Sequence, residues 1–139
     1  MDLVPVSGIN TAAQLEWMKS LRAQTTTVEL VFHDGDADNP LAEKLKRLMP
    51  VREIGVGKRP GYQKPAPHAV LHRYAYDREV LRAIEELGGL FTYASTATGE
   101  TVNFSHLGNV DVAFIARDGA VLGATVTHEG LILRPEVTT

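Results

Sequence analysis

Between Lys44 and Arg73 lie eight of the chain's 14 basic side chains: Lys44, Lys46, Arg47, Arg52, Lys58, Arg59, Lys64 and Arg73. Glu53 is the one acid in that span, so it carries a net +7 while the rest of the chain carries −10. A field of that shape draws anions to one region and repels them elsewhere. Within it, residues 55–68 (GVGKRPGYQKPAPH) combine Gly55, Gly57 and Gly61 with Lys58, Arg59, Lys64 and Tyr62. Exposed backbone amides beside cations suit a phosphate, and an aromatic face beside Arg59 suits a single-stranded base. With Arg52, His68 and His72, these residues form the candidate ligand site. Gly57-Lys58 looks like the end of a Walker A loop, but Arg52 stands where its first Gly belongs and Arg59 where Ser or Thr is required. The bland alternative is a solvated loop whose lysines only keep it soluble.

Histidines offer a second chemistry. His68 and His72 are four residues apart and share a face in a strand or a helix. With His33, Asp34 or Asp36 they could ligate Zn²⁺ or a similar ion, or act as an acid–base pair on a phosphoester. These five residues are the metal candidates, and His68 and His72 the catalytic ones; no motif names a cofactor. Asp34, Asp36 and Asp38 follow an apolar strand at alternating spacing. As a calcium loop the run fails, because Asn39 replaces the required Gly and Leu45 the bidentate Glu. Over these few residues the strand and D-x-D resemble the start of the haloacid dehalogenase group, without the Thr that follows there. Turn and cap roles account for the same residues: Asp34-Gly35 as a turn, and Asp38 or Asn39 at a helix start. The acids at 34–38 and the bases at 58–64 could also neutralise one another. Ser95 and Ser105 have no His or Asp at a fixed spacing to activate them.

The elements that must position these groups are legible. Residues 11–23 read as a short helix capped by Thr11, with Leu15, Met18 and Leu21 at helical spacing. TTTVELVFH then reads as a strand. Asn39-Pro40 opens a second helix over 40–49, whose apolar stripe is Leu41, Leu45, Leu48 and Met49. Its Lys44, Lys46 and Arg47 sit near the negative end of the helix dipole. Strands follow at 51–56 and 69–76, and Asp77 caps a third helix over 78–87 that Gly88-Gly89 ends. Further strands are expected at 90–94, 100–104, 110–116, 120–127 and 131–134, with turns at Asp118-Gly119 and Glu129-Gly130. Trp17 falls on the polar flank of the first helix, where partial burial beside the sheet is expected and a partner surface is the alternative.

The expected class is therefore α+β: one mostly antiparallel sheet, about three helices packed against it, and a C-terminal β-meander. The 139 residues read as a single domain. The absence of cysteine excludes disulfides and thiol chemistry. No apolar run approaches the ~18 residues that span a membrane, and the N-terminus lacks the basic and apolar regions of a signal peptide. The chain reads as a cytoplasmic binding module for an anionic ligand, whether a phosphorylated small molecule, nucleic acid or an acidic protein surface. A pI near 5.9 confines any nucleic-acid contact to a local patch. A phosphoester hydrolase is the rival reading, and an inhibitor or immunity-type protein meeting a basic partner is a third.

Overall fold

A computed structural model describes residues 3–56, 66–95 and 97–135. Its centre is a seven-stranded sheet, antiparallel at every pairing, in the order β1-β9-β8-β7-β2-β4-β3. The strands are β1 (Leu3–Val6), β2 (Thr25–Phe32), β3 (Val51–Val56), β4 (Ala66–Ala75), β7 (Val110–Ala116), β8 (Val121–Val126) and β9 (Leu131–Pro135). Helices α1 (Thr11–Ser20), α2 (Pro40–Leu45) and α3 (Arg78–Glu86) accompany it. The α+β class and the terminal meander β7-β8-β9 are as the sequence indicates. Strands β5 (Thr92–Ser95) and β6 (Thr101–Phe104) pair only with each other, as a separate hairpin.

Strand β2 is an interior strand of the sheet, between β4 and β7. Residues 28–32 are buried on both faces, which explains why their apolar run is nearly continuous. Val28, Leu30 and Phe32 face the helices and join one cluster with Met18, Leu41, Leu45, Tyr74, Val80, Ile84, Phe114 and Ile132. Each large apolar side chain so buried contributes about 1.5–3 kcal/mol. On the opposite face, Val31 packs with Val56, Ala69 and Leu71. There Glu29, 4 % exposed, is met by Arg73 at 2.8 Å.

The helix boundaries follow local chemistry. Asn39 accepts from the amides of Leu41 and Ala42, and Pro40 occupies the first turn. Asp77 accepts from Glu79 and Val80 in the same manner. Gly89, at φ 92°, closes α3 by donating to the Ile84 carbonyl, and a Cβ there would come within 2.9 Å of Thr11.

Four details differ from the sequence reading. Asn10, not Thr11, caps α1 by accepting from Ala13, and the helix ends at Ser20. The second helix tightens into a 3₁₀ turn at Lys46–Leu48, which rotates Met49 out of the stripe to 85 % exposure. The fourth strand starts earlier than expected, at Ala66. Strand β1 carries no clear strand pattern, because Pro5 interrupts it; at the sheet's edge a missing donor is tolerated. Trp17 is partly buried as expected, edge-on to Phe114 at 5.3 Å and tight against Gly123, where a Cβ would meet its ring at 2.5 Å.

Gln14 joins α1 to the chain after α3. It is fully buried, and its amide donates to the carbonyls of Ile9 and Phe91, both at 2.9 Å. Its oxygen accepts from the amides of Leu90 and Phe91 at 3.0 and 3.3 Å. All four of its hydrogen-bonding positions are thus met. Replacing it with an isosteric hydrocarbon strands those backbone groups in the core. We expect Gln14→Leu to cost about 3 kcal/mol in urea unfolding; a loss below about 1 kcal/mol would contradict this role.

Candidate functional site at the loop end of the sheet

The registers bring several connections to one end of the sheet. Phe32 pairs with both Val70 and Val110, Val56 with Ala66, and Val126 with Leu131. The strand ends that flank 33–39, 57–65, 105–109 and 127–130 therefore lie together. Residues Gly57, Lys58, Arg59, Gly61, Tyr62 and Lys64 of the expected ligand loop fall outside the described residues. Two carboxylate–histidine pairs organise this end, one on each face of the sheet.

On the helix face the pair is Asp36 with His72. Arg52 and His72 are directly opposite one another on β3 and β4, and Asp36 descends onto both from the β2–α2 loop. Its Oδ2 lies 2.6 Å from His72 Nε2 and 2.7 Å from Arg52 Nε, and its Oδ1 lies 3.1 Å from Arg52 Nη2. The His72 Nδ1 meets the Tyr74 hydroxyl at 2.9 Å, and Phe32 stands edge-on to the ring. Hydrogen bonds from Arg52 hold the Asp36 carboxyl well below the usual carboxylate range; they outweigh partial burial, and His72 acts in the same direction. Burial, with the Asp36 charge second, pushes the Tyr74 phenol up. This cluster is closed: both ring nitrogens of His72 are committed to protein groups, and its side chain is 8 % exposed.

On the other face the pair is His33 with Asp111. His33 Nε2 is 2.8 Å from Asp111 Oδ2, and Asp111 Oδ1 accepts from the Thr127 amide at 2.8 Å. Asp111 is 7 % exposed and His33 22 %. Beside them opens a cleft of about 510 Å³ lined by His33, Phe104, Gly108, Asn109, His128 and neighbouring residues. The turn that forms one wall is anchored to the β2–α2 loop. Asn109 donates to Asp34 at 3.2 Å, and Asn39 to the Leu107 carbonyl at 2.8 Å. Ser105 Oγ donates to the Leu90 carbonyl and accepts from the Leu107 amide, so it holds the turn.

The metal candidates are thus dispersed. His33 goes to Asp111, Asp34 to Asn109, and Asp36 to His72 and Arg52, whose guanidinium stands where a cation would bind. His68 is exposed near the start of β4, away from the closed cluster around His72. Among the described residues no group of three or more His, Asp or Glu side chains could hold a metal ion. The basic span is also largely spoken for. Lys44 pairs with Glu86, Lys46 with Glu43, Arg47 with Glu79, Arg52 with Asp36, and Arg73 with Glu29 and Glu53. Sequence reasoning missed Asp111, Asn109 and His128; an acid inside the apolar strand VDVAFIA was the available signal.

The depressed Asp36 pKa ties stability to pH. In the unfolded chain an Asp titrates near 3.9. The native contribution is therefore complete at neutral pH and is lost from about pH 5 downward as the unfolded chain takes up the proton. We expect Asp36→Asn to cost about 2 kcal/mol at neutral pH, with the gap to wild type narrowing as pH falls to about 3. An equal gap at both pH values, measured by denaturant unfolding, would contradict the assignment.

Compared with known protein families, curated proteins and solved structures, the chain has no match.

Proposed function

We propose that this chain is a non-enzymatic binding module that engages an anionic partner through the basic segment between β3 and β4. The supporting observation is the charge accounting of the basic span. All five of its described members are in ion pairs within the fold, and the other three basic side chains of the span are Lys58, Arg59 and Lys64. Residues 57–65 contain those three cations, Tyr62 and no acid. The strand ends flanking this segment, Val56 and Ala66, stand at the loop end of the sheet, beside the exposed edge strand β3. Three cations with an aromatic suit a chain of phosphates or an acidic protein surface.

The hydrolase reading draws less support, because it assigns an acid–base or metal role to His72, whose two nitrogens are occupied in a buried cluster. The inhibitor-type reading placed Asp36 on an outward acidic surface, whereas its carboxylate turns inward to Arg52 and His72.

The test is fluorescence anisotropy with labelled oligothymidylate and with heparin at several salt concentrations. The combined variant Lys58→Ala/Arg59→Ala/Lys64→Ala should weaken binding at least tenfold. For the oligonucleotide it should also lower the slope of log affinity against log salt by about 2, from three lost phosphate contacts at about 0.7 each. The variant Lys44→Ala/Arg47→Ala, whose cations serve the fold, should stay within threefold of wild type. No binding of either probe by wild type, or equal binding by the loop variant, would remove the proposal.

A further inference from the structure

We propose that the outer edge of β3 is a docking site for an extended, uncharged peptide segment of a partner protein, which adds a strand to the sheet. This inference is independent of the basic segment and rests on what the edge itself exposes.

The strand order leaves two edges, β1 and β3. An edge presents a row of unpaired amides and carbonyls, which proteins ordinarily blunt with brevity, proline, bulges or charge. Strand β1 is blunted in this way: it has four residues, and Pro5 removes a donor. Strand β3 contains no proline, and its first four residues, Val51, Arg52, Glu53 and Ile54, are all exposed. These four pair in regular register with β4, and an irregularity at Gly55 ends the run. Among the described residues no strand pairs with their other side.

Apolar surface is concentrated on the same segment. Among the described residues four large apolar side chains are exposed, and three of them are Met49 at 85 %, Val51 at 56 % and Ile54 at 70 %. Scattered singly such residues need no explanation; gathered on an unpaired edge they mark an interaction surface. Three positions apart in a regular strand, Val51 and Ile54 lie on opposite faces, so one added strand would cover both. At the start of β3 a pocket of about 290 Å³ opens among Met49, Pro50, Val51, Tyr74, Arg73 and Asp77 and can receive a side chain of that strand. Backbone bonds to the edge and a pocket for an alternate side chain are the two elements of recognition by strand addition.

The charges at this edge are spent within the fold. Arg52 is held by Asp36, Glu53 by Arg73, and Arg73 also by Glu29. Asp77 accepts from the first amides of α3. A charged strand would leave water without finding a free counter-charge, whereas an uncharged one gives the edge backbone bonds and apolar cover. A second copy of the chain fits less well. Two β3 strands joined antiparallel about a two-fold axis set one residue opposite itself. Centred on Arg52 or Glu53, the pair opposes like charges. Centred on Val51 it opposes Pro50, which lacks a donor, to Arg52; centred on Ile54 it sets the irregularity at Gly55 against Glu53.

The test selects phage-displayed random peptides of about ten residues, the upper length of a common strand, against the immobilised full chain. The expected consensus lacks charge and proline and is rich in Val, Ile, Thr and aromatic residues. Synthesised, that peptide should give saturable ¹H–¹⁵N shifts at Val51, Arg52, Glu53 and Ile54. N-methylation of one alternating set of its residues, the set whose donors face the edge, should abolish binding, and methylation of the other set should leave it. Val51→Lys and Ile54→Lys, both at exposed positions, should each weaken binding at least about tenfold. The Lys58→Ala/Arg59→Ala/Lys64→Ala variant should bind the peptide as wild type does. The proposal is overturned by no enrichment, by shifts away from β3, or by equal binding of both methylated peptides. An acidic consensus that the triple variant no longer binds would also overturn it and leave the basic-segment reading standing. Sedimentation showing an Ile54-dependent dimer would overturn it in favour of a second copy.

Discussion

A carboxylate taken out of water must be met by a cation or by several donors, and at the loop end of this sheet that requirement is met twice. Asp36 and Asp111 lie on opposite faces, each against an imidazole, and both pairs depend on the course of β2. That strand is registered against β4 on one side and β7 on the other. On the β4 side it aligns His72 with Leu30, and on the β7 side it places Asp111 opposite Val31. The residues that follow β2 supply the remaining partners: His33 immediately, and Asp36 after the turn at Gly35. A shift of one residue in the β4 register would turn His72 to the other face, and the same shift in the β7 register would turn Asp111.

The two pairs do different work. Around Asp36 the partners are the imidazole of His72 and a bidentate arginine, Arg52. Such an arrangement fixes a loop; it offers little to a ligand. Around Asp111 the partners are one histidine and one amide, and the ladder gives way to side-chain bonds where the cleft begins. The first cluster draws the β2–α2 loop down onto β3 and β4. The second lies where β8 parts from β7 and the 105–109 turn packs on Asn39 and Asp34. A closed cluster on one face thus stands against an opening on the other.

Much of this fold is legible locally. Asn39-Pro40, Asp77, Gly88-Gly89 and Asp118-Gly119 announce their boundaries because caps and turns depend on a few adjacent residues. Where two adjacent residues could both cap, as at Asn10 and Thr11, type alone does not decide. The apolar stripe of the second helix stops short of Met49, because a 3₁₀ turn changes the periodicity that the pattern assumes. The sites were harder to read. The basic span is a cluster in sequence, yet its members reach acids up to 44 residues away and are spent on the fold. His72 was singled out by its spacing from His68, but its partner lies 36 residues before it; His33 finds Asp111 78 residues on. Gln14, in TAAQLEWM, carries no local signal of its burial, because the groups that satisfy it come from the chain after α3.

The central claim is that two imidazoles are oriented by the carboxylates of Asp36 and Asp111, and long-range ¹H–¹⁵N correlation of the histidine rings tests it directly. A carboxylate at Nε2 requires a proton there. At pH values where the rings are neutral, His72 and His33 should both appear as single Nε2–H tautomers. In neutral His72, Nδ1 should accept from Tyr74, while exposed His68 and His128 provide the comparison. An Nδ1–H tautomer at either position, or a ring averaging between tautomers as in free solution, would contradict the account.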